Sequence, residues 1–230
     1  MPGLSADTHP RLAPGRRRPM TDEDSPAYVA VDLASTGFKP QLDRDGAPCA
    51  AQVLPAYVGV DLETTGVNPF VDRVVEFCLV QLDASLSELG RWSRRVNPGR
   101  PIPPGATAVH GIRDLDVATL PHFSCYAPRI QRLVQGFPII AYNANFDVQL
   151  LGHELRRCGQ PGLAVDHPRI DPYRIYREQV PDQYRLSGAV RHYLGRNHFA
   201  AHNASADIEA TVEVLKVQWS TKSRIEASLP

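Results

Sequence analysis

The stretch Tyr57-Val-Gly-Val-Asp-Leu-Glu-Thr-Thr-Gly66 constrains the fold more than any other in the chain. It reads as a short buried strand, yet it ends in two carboxylates and a Thr-Thr-Gly turn. Side chains alternate across a strand, so Val58, Val60 and Leu62 share one face while Asp61 and Glu63 share the other. Two residues of strand separate such acids by about 6–7 Å. Strand interiors are depleted in Asp and Glu. Two like charges about 4 Å apart repel by roughly 1 kcal/mol in water and about 4 kcal/mol near a protein surface. A divalent ion between them turns repulsion into attraction. A bound cation is therefore the simplest reason for the pair.

Composition bounds the surroundings. A chain of 230 residues suits one good-sized domain with a substantial core. Its formal net charge of +0 and pI near 7.1 exclude the broad basic field of a tight, non-specific duplex binder. Nucleic acid held briefly in a cleft stays allowed. The local clusters Arg91, Arg94, Arg95, Arg100 and Arg156, Arg157 read as solvated faces. Cys49, Cys78, Cys125 and Cys158 form no C-x-x-C pair, which argues against a zinc site or a disulfide framework and for a reducing, cytoplasmic setting. No apolar run approaches the roughly 20 residues of a membrane span. Arg16–Arg18 are followed by no apolar core, so no secretory signal is expected and no membrane partner.

Along the chain, residues 1–26 are rich in Pro and Arg without hydrophobic period and are expected to be disordered; Met20 offers an alternative start. Residues 27–44 (AYVAVDLASTGFKPQLDR) then match residues 56–73 (AYVGVDLETTGVNPFVDR) at 11 of 18 positions, with an offset of 29. The first copy keeps Asp32 but carries Ala34 where the second has Glu63. Residues 27–55 are thus read as a degenerate partial duplicate, with a decoy strand as the rival reading. Residues 56–219 are the folded domain, and 220–230 a short tail with little room for a polymerase-binding arm. Strands are expected within 57–66 ahead of the Thr-Thr-Gly turn, and over 73–82 and 89–96, as an antiparallel meander. A helix over 128–135, a buried strand over 137–142 and a helix from Asn143 follow. Residues 159–184 are punctuated by Pro and Gly, with one short strand near Arg169–Asp171. Helices over 186–194 and 205–219 close an α/β fold, a mixed sheet flanked by helices.

Three distant residues extend the acidic pair. Asp147 stands at the mouth of a helix just after a buried strand, where open α/β sheets place ligands. His202 and Asp207 are five apart, and five residues of helix turn through about 500°. His202 must then lie in the preceding loop if the two are to converge. Four carboxylates without thiols suit hard Mg²⁺ or Mn²⁺.

Three motifs in order, D-x-E-T-T-G at Asp61–Gly66, N-A-x-F-D at Asn143–Asp147 and H-x-x-x-x-D at His202–Asp207, resemble the DEDDh branch of the DEDD exonucleases. These are the DnaQ-like, ε-like proofreading exonucleases. The resemblance covers roughly residues 56–218. It implies a ribonuclease H-like five-stranded sheet and a 3′→5′ exonuclease domain over 56–219. It also implies two Mg²⁺ or Mn²⁺ ions held by Asp61, Glu63, Asp147 and Asp207, with His202 taking the proton of the attacking water. The substrate would be a single-stranded 3′ end, DNA favoured, cut to nucleoside 5′-monophosphates. Thr64, Thr65, His110 and Asn143 would contact it; for His110 a loop-ordering hydrogen bond is an equal expectation. Glu76, His153, His192 and His198 are taken as structural or solvated, and Asp166 and Asp171 as loop residues. Tyr142 stands where the family often has His. A DNA polymerase is a possible partner by the same resemblance. RNA trimming, or a catalytically silent nucleic-acid-binding or polymerase-associated module, are the rival functions.

Overall fold

The computed structural model describes residues 54–180, 184–198 and 201–228, with side chains up to residue 221. The expected disordered segment 1–26 lies outside the described residues, as does almost all of the partial duplicate 27–55. β1 (Tyr57–Thr64), β2 (Val74–Leu82) and β3 (Glu88–Arg95) form the antiparallel meander. β4 (Ile139–Ile140) pairs parallel with β1, and β5 (Arg169–Ile170) parallel with β4, giving a five-stranded sheet in the order β3-β2-β1-β4-β5. β1 is therefore central, and β2 is buried along its whole length. The strand expected over 137–142 shrinks to two residues, while the first strand ends at Thr64, at the expected Thr-Thr-Gly turn.

Helices α1 (Pro104–His110), α2 (Asp114–Val117) and α3 (Ala127–Val134) follow the meander, and α4 (Ala144–Arg157) follows β4. α5 (Pro172–Gln179), α6 (Leu186–Leu194) and α7 (Ala204–Ser228) complete the chain. α1, α2 and α5 lie in stretches where no helix is expected, and α7 runs nine residues past the expected end at 219. α7 lies against the face of β1 that carries the acids. Ile208, Val212 and Leu215 pack there with Cys78, Val80 and Ile140, and Trp219 meets Tyr57 edge-on at 5.9 Å. Gly59 permits the approach: a Cβ at that position would lie 2.9 Å from Ile208 Cγ1.

The turn after β1 is fixed from within. Thr65 Oγ1 donates to Asp72 Oδ1 at 2.9 Å, Asn68 N–H donates to Asp72 Oδ2 at 2.9 Å, and a Cβ at Gly66 would collide with the Asp72 carboxylate at 2.5 Å. The fully buried Glu154 of α4 ties the same turn to the helix, accepting from Arg73 at 2.8 Å and Arg157 at 2.7 Å. Among the described residues, Cys78, Cys125 and Cys158 are free thiols, and no helix is long and apolar enough to cross a membrane.

Candidate metal centre and active site

Two elements bring three acids together. β1 supplies Asp61 and Glu63, and the first turn of α7 supplies Asp207. One carboxylate oxygen from each lies within 4.8 Å of the others. The register explains the local shape. Glu63 faces Glu76 across β1 and β2, and the ladder shifts between Glu63 and Thr64. Such a bulge bends the strand and re-aims its last side chains. Glu76, expected to be structural or solvated, is 8% exposed and accepts from Arg95 at 3.1 Å, so the second carboxylate of this cross-strand pair has its own counter-charge.

The cluster is electrostatically frustrated. Burial, followed by repulsion from Asp147, Asp207, Glu63 and Glu76, lifts the Asp61 carboxyl well above the usual carboxylate range. Burial, then Asp207 and Glu76, pushes Glu63 up to about 7. Asp147 in the first turn of α4 is 5% exposed and is likewise raised, chiefly by burial. It belongs to the same charge cluster through Asp61 and Glu63, although its oxygens are not among the three that converge within 4.8 Å. Acids that oppose one another in a buried place are what a divalent cation relieves. The set offers oxygen donors alone, which fits Mg²⁺ or Mn²⁺. The residues present fit the group.

His202 lies in the loop before α7, in a left-handed conformation with φ 67°. Its backbone N–H donates to Asp207 Oδ2 at 3.0 Å, while its side chain stays exposed. Together with Asn143, Asp207 and Arg185 it lines a pocket of about 610 Å³. Asn143 is also left-handed (φ 65°), a conformation Asn tolerates better than most residues. Asp171 holds it there: its carboxylate accepts from the N–H groups of Asn143 at 2.9 Å and Ala144 at 3.2 Å, and caps α5 through Tyr173 N–H at 3.1 Å. Asp171 thus braces the turn that delivers Asp147 instead of being a plain loop residue. The D-P pair at 171–172, an N-cap followed by Pro at the first helical position, was the available signal.

His110 orders its loop. Its Nε2–H donates to the Thr64 carbonyl at 3.2 Å, and its Nδ1 accepts from Ile112 N–H at 3.0 Å. Burial lowers its pKa, in keeping with a neutral ring that must accept on Nδ1. Thr64 Oγ1 donates to the Gly66 carbonyl at 2.6 Å, and the Thr65 N–H donates to the Arg73 carbonyl at 2.9 Å. The polar groups of the two threonines that these bonds use are engaged inside the turn. Tyr142 donates to the Tyr184 carbonyl at 3.0 Å and lines the same pocket. His198 is another residue that the spacing of motifs does not reveal. It is nearly buried, and its Nε2–H donates to Asp207 Oδ1.

Known proteins resemble this chain in sequence and in fold. The exonuclease family model RNase_T matches residues 58–215. The chain is similar to the DNA polymerase III subunit epsilon of Treponema pallidum, with 31% identity over 82% of this chain and 74% of that protein. It also resembles a DNA polymerase III subunit epsilon-like protein of Rhodobacter capsulatus, 34% identical over 56% of this chain but only 18% of that one. Its fold is similar to that of E. coli exonuclease I in complex with a dT13 oligonucleotide, with a TM-score of 0.65, 23% identity, and coverage of 74% of this chain and 42% of the other. With a family match over residues 58–215 that includes all three acids of the cluster, the chain belongs to the RNase_T exonuclease family.

Proposed function

We propose that the chain is a 3′→5′ exonuclease acting on single-stranded DNA ends and releasing nucleoside 5′-monophosphates. The observation that carries this reading is the convergence of Asp61, Glu63 and Asp207 within 4.8 Å, with Asp207 also lining a pocket of about 610 Å³. The similarity to DNA polymerase III epsilon subunits and to an exonuclease I bound to a DNA oligonucleotide supports an exonuclease acting on DNA. Asp61, Glu63 and Asp207 would hold the divalent ions, with Asp147 as a further ligand. Bound Mg²⁺ or Mn²⁺, two ions in this proposal, supplies an acidified water and charge relief at the departing 3′ oxygen. The exposed imidazole of His202 would take the proton of the attacking water. As water adds to phosphorus, the bond to the 3′ oxygen breaks and that oxygen is protonated. His198 is unsuited to the proton-acceptor role, since its Nε2 already faces Asp207 in a nearly buried position. Asn143 and Arg185 line the space beside Asp207 where a terminal nucleotide would enter. A cytoplasmic setting and a DNA polymerase as partner belong to the same proposal.

Purified protein with Mg²⁺ and 5′-labelled single strands of DNA and RNA, in parallel, tests it. A descending ladder from DNA, stopped by EDTA and absent in Asp61→Ala and Asp207→Ala proteins with unchanged circular dichroism, is expected. A ladder from RNA alone would move the substrate to RNA. Undiminished turnover in either variant, or in chelator, would overturn the metal-dependent reading.

A further inference from the structure

Both oxygens of Asp207 carry a hydrogen bond from the loop that precedes α7. His198 Nε2–H donates to Oδ1 and the His202 backbone N–H donates to Oδ2. The two donors belong to residues four apart in the sequence, and together they fix the rotation of the carboxylate about its Cβ–Cγ bond. His198 is itself held. Its side chain is 5% exposed, Arg196 two residues earlier pairs with Glu213 on α7, and Asn197 accepts from Arg191 of α6 at 3.3 Å. A nearly buried imidazole with its donor nitrogen on an acid of the cluster is not a solvated surface residue.

We propose that His198 is a positioning residue. Its Nε2–H clamps Asp207 in the rotamer that directs an oxygen toward Asp61 and Glu63, and so sets the affinity of the cluster for a divalent cation. The geometry gives the reason. Asp207 reaches the cluster from a different element than the two β1 acids, across a helix-to-strand junction. Without a clamp, repulsion from Asp61 and Glu63 would swing its carboxylate outward before a cation arrives. Each carboxylate oxygen has two acceptor sites, so Oδ1 can hold the His198 proton and still offer a lone pair inward. Hydrogen bonds to ligating groups orient them, and loss of such a partner typically weakens metal binding about 10–100-fold.

The inference rests on the proposed metal-dependent nuclease reading, and Mn²⁺ titration calorimetry without nucleic acid separates the two. His198→Ala is expected to weaken Mn²⁺ binding about 10–100-fold. His198→Gln, whose amide nitrogen reaches as far as Nε2, should stay within about threefold of the native protein. His198→Asn stops one bond short and should behave like the alanine variant. In an Asp207→Ala background, adding His198→Ala should cause no further loss, because the clamp has nothing to hold. Native affinity in His198→Ala, or a further loss in the double variant, overturns the proposal while leaving the metal site standing, provided Asp207→Ala alone has lost affinity. Native affinity in Asp207→Ala overturns the metal site itself, and this inference with it. Where circular dichroism shows that His198→Ala does not fold, the Gln and Asn variants decide: equal affinities overturn the clamp.

Discussion

Glu63 shows most plainly what a metal-free acidic cluster costs the fold. Its carboxyl is pushed from 4.5 to about 7, first by burial and then by Asp207 and Glu76. Between those pH values the folded chain keeps a proton that the unfolded chain has released. The stabilisation is therefore complete below 4.5 and lost as pH rises through about 7. At 1.36 kcal/mol per pH unit the effect is on the order of 3 kcal/mol. His110 acts in the opposite sense: its lowered pKa gives support above the ordinary histidine value that fades as pH falls. Asp61 and Asp147 are raised as Glu63 is, so the acids dominate. In EDTA, the melting temperature should fall by roughly 5–10 °C between pH 5 and pH 8, and saturating Mg²⁺ should flatten or reverse the trend. Equal melting temperatures across that range in EDTA would contradict the account. For His202, asparagine is the informative replacement, because it tolerates the left-handed backbone and keeps the N–H that donates to Asp207. His202→Asn should lower kcat by roughly 10²–10⁴ with Mn²⁺ affinity unchanged, and a loss below about tenfold would remove the base from His202.

At the scale of elements, the site depends on how closely α7 approaches β1. Gly59→Ala places a methyl 2.9 Å from Ile208 Cγ1, one residue from Asp207. Overpacking of this kind costs about 1–3 kcal/mol and shifts the helix. Urea denaturation should show that loss, and calorimetry a weaker Mn²⁺ site; a native value for both would mean the contact relaxes freely. Asp171→Ala removes the cap of α5 and the brace at Asn143, and should cost about 1–2 kcal/mol by the same urea measurement. The strands of the meander were legible because β2 is a continuous apolar run and β1 alternates before its acids. α1 was not, since it buries no residue and so carries no periodic signal. α5 was hidden by the Pro and Gly around it, although its Asp-Pro start is a regular helix opening. β4 was over-read because only Ile139 and Ile140 find partners on both sides.

For the whole molecule, the four motif acids and the motif histidine were visible as spaced residue types, but the contacts that tune them were not. His198 meets Asp207 across nine positions and a loop, and Glu76 meets Glu63 through strand register. Neither relation has a period that a linear reading detects. The same holds for Glu154, whose two arginines come from β2's approach and from its own helix. What the chain as a whole achieves is to carry Asp207 from residue 207 back to a strand begun 150 residues earlier, so that three repelling acids share one small volume. Anomalous diffraction from a crystal soaked in Mn²⁺ tests that claim most directly. A manganese peak about 2.0–2.3 Å from oxygens of Asp61, Glu63 and Asp207 is the expected result. Manganese bound elsewhere, with these three carboxylates uncoordinated at saturating ion, would contradict it.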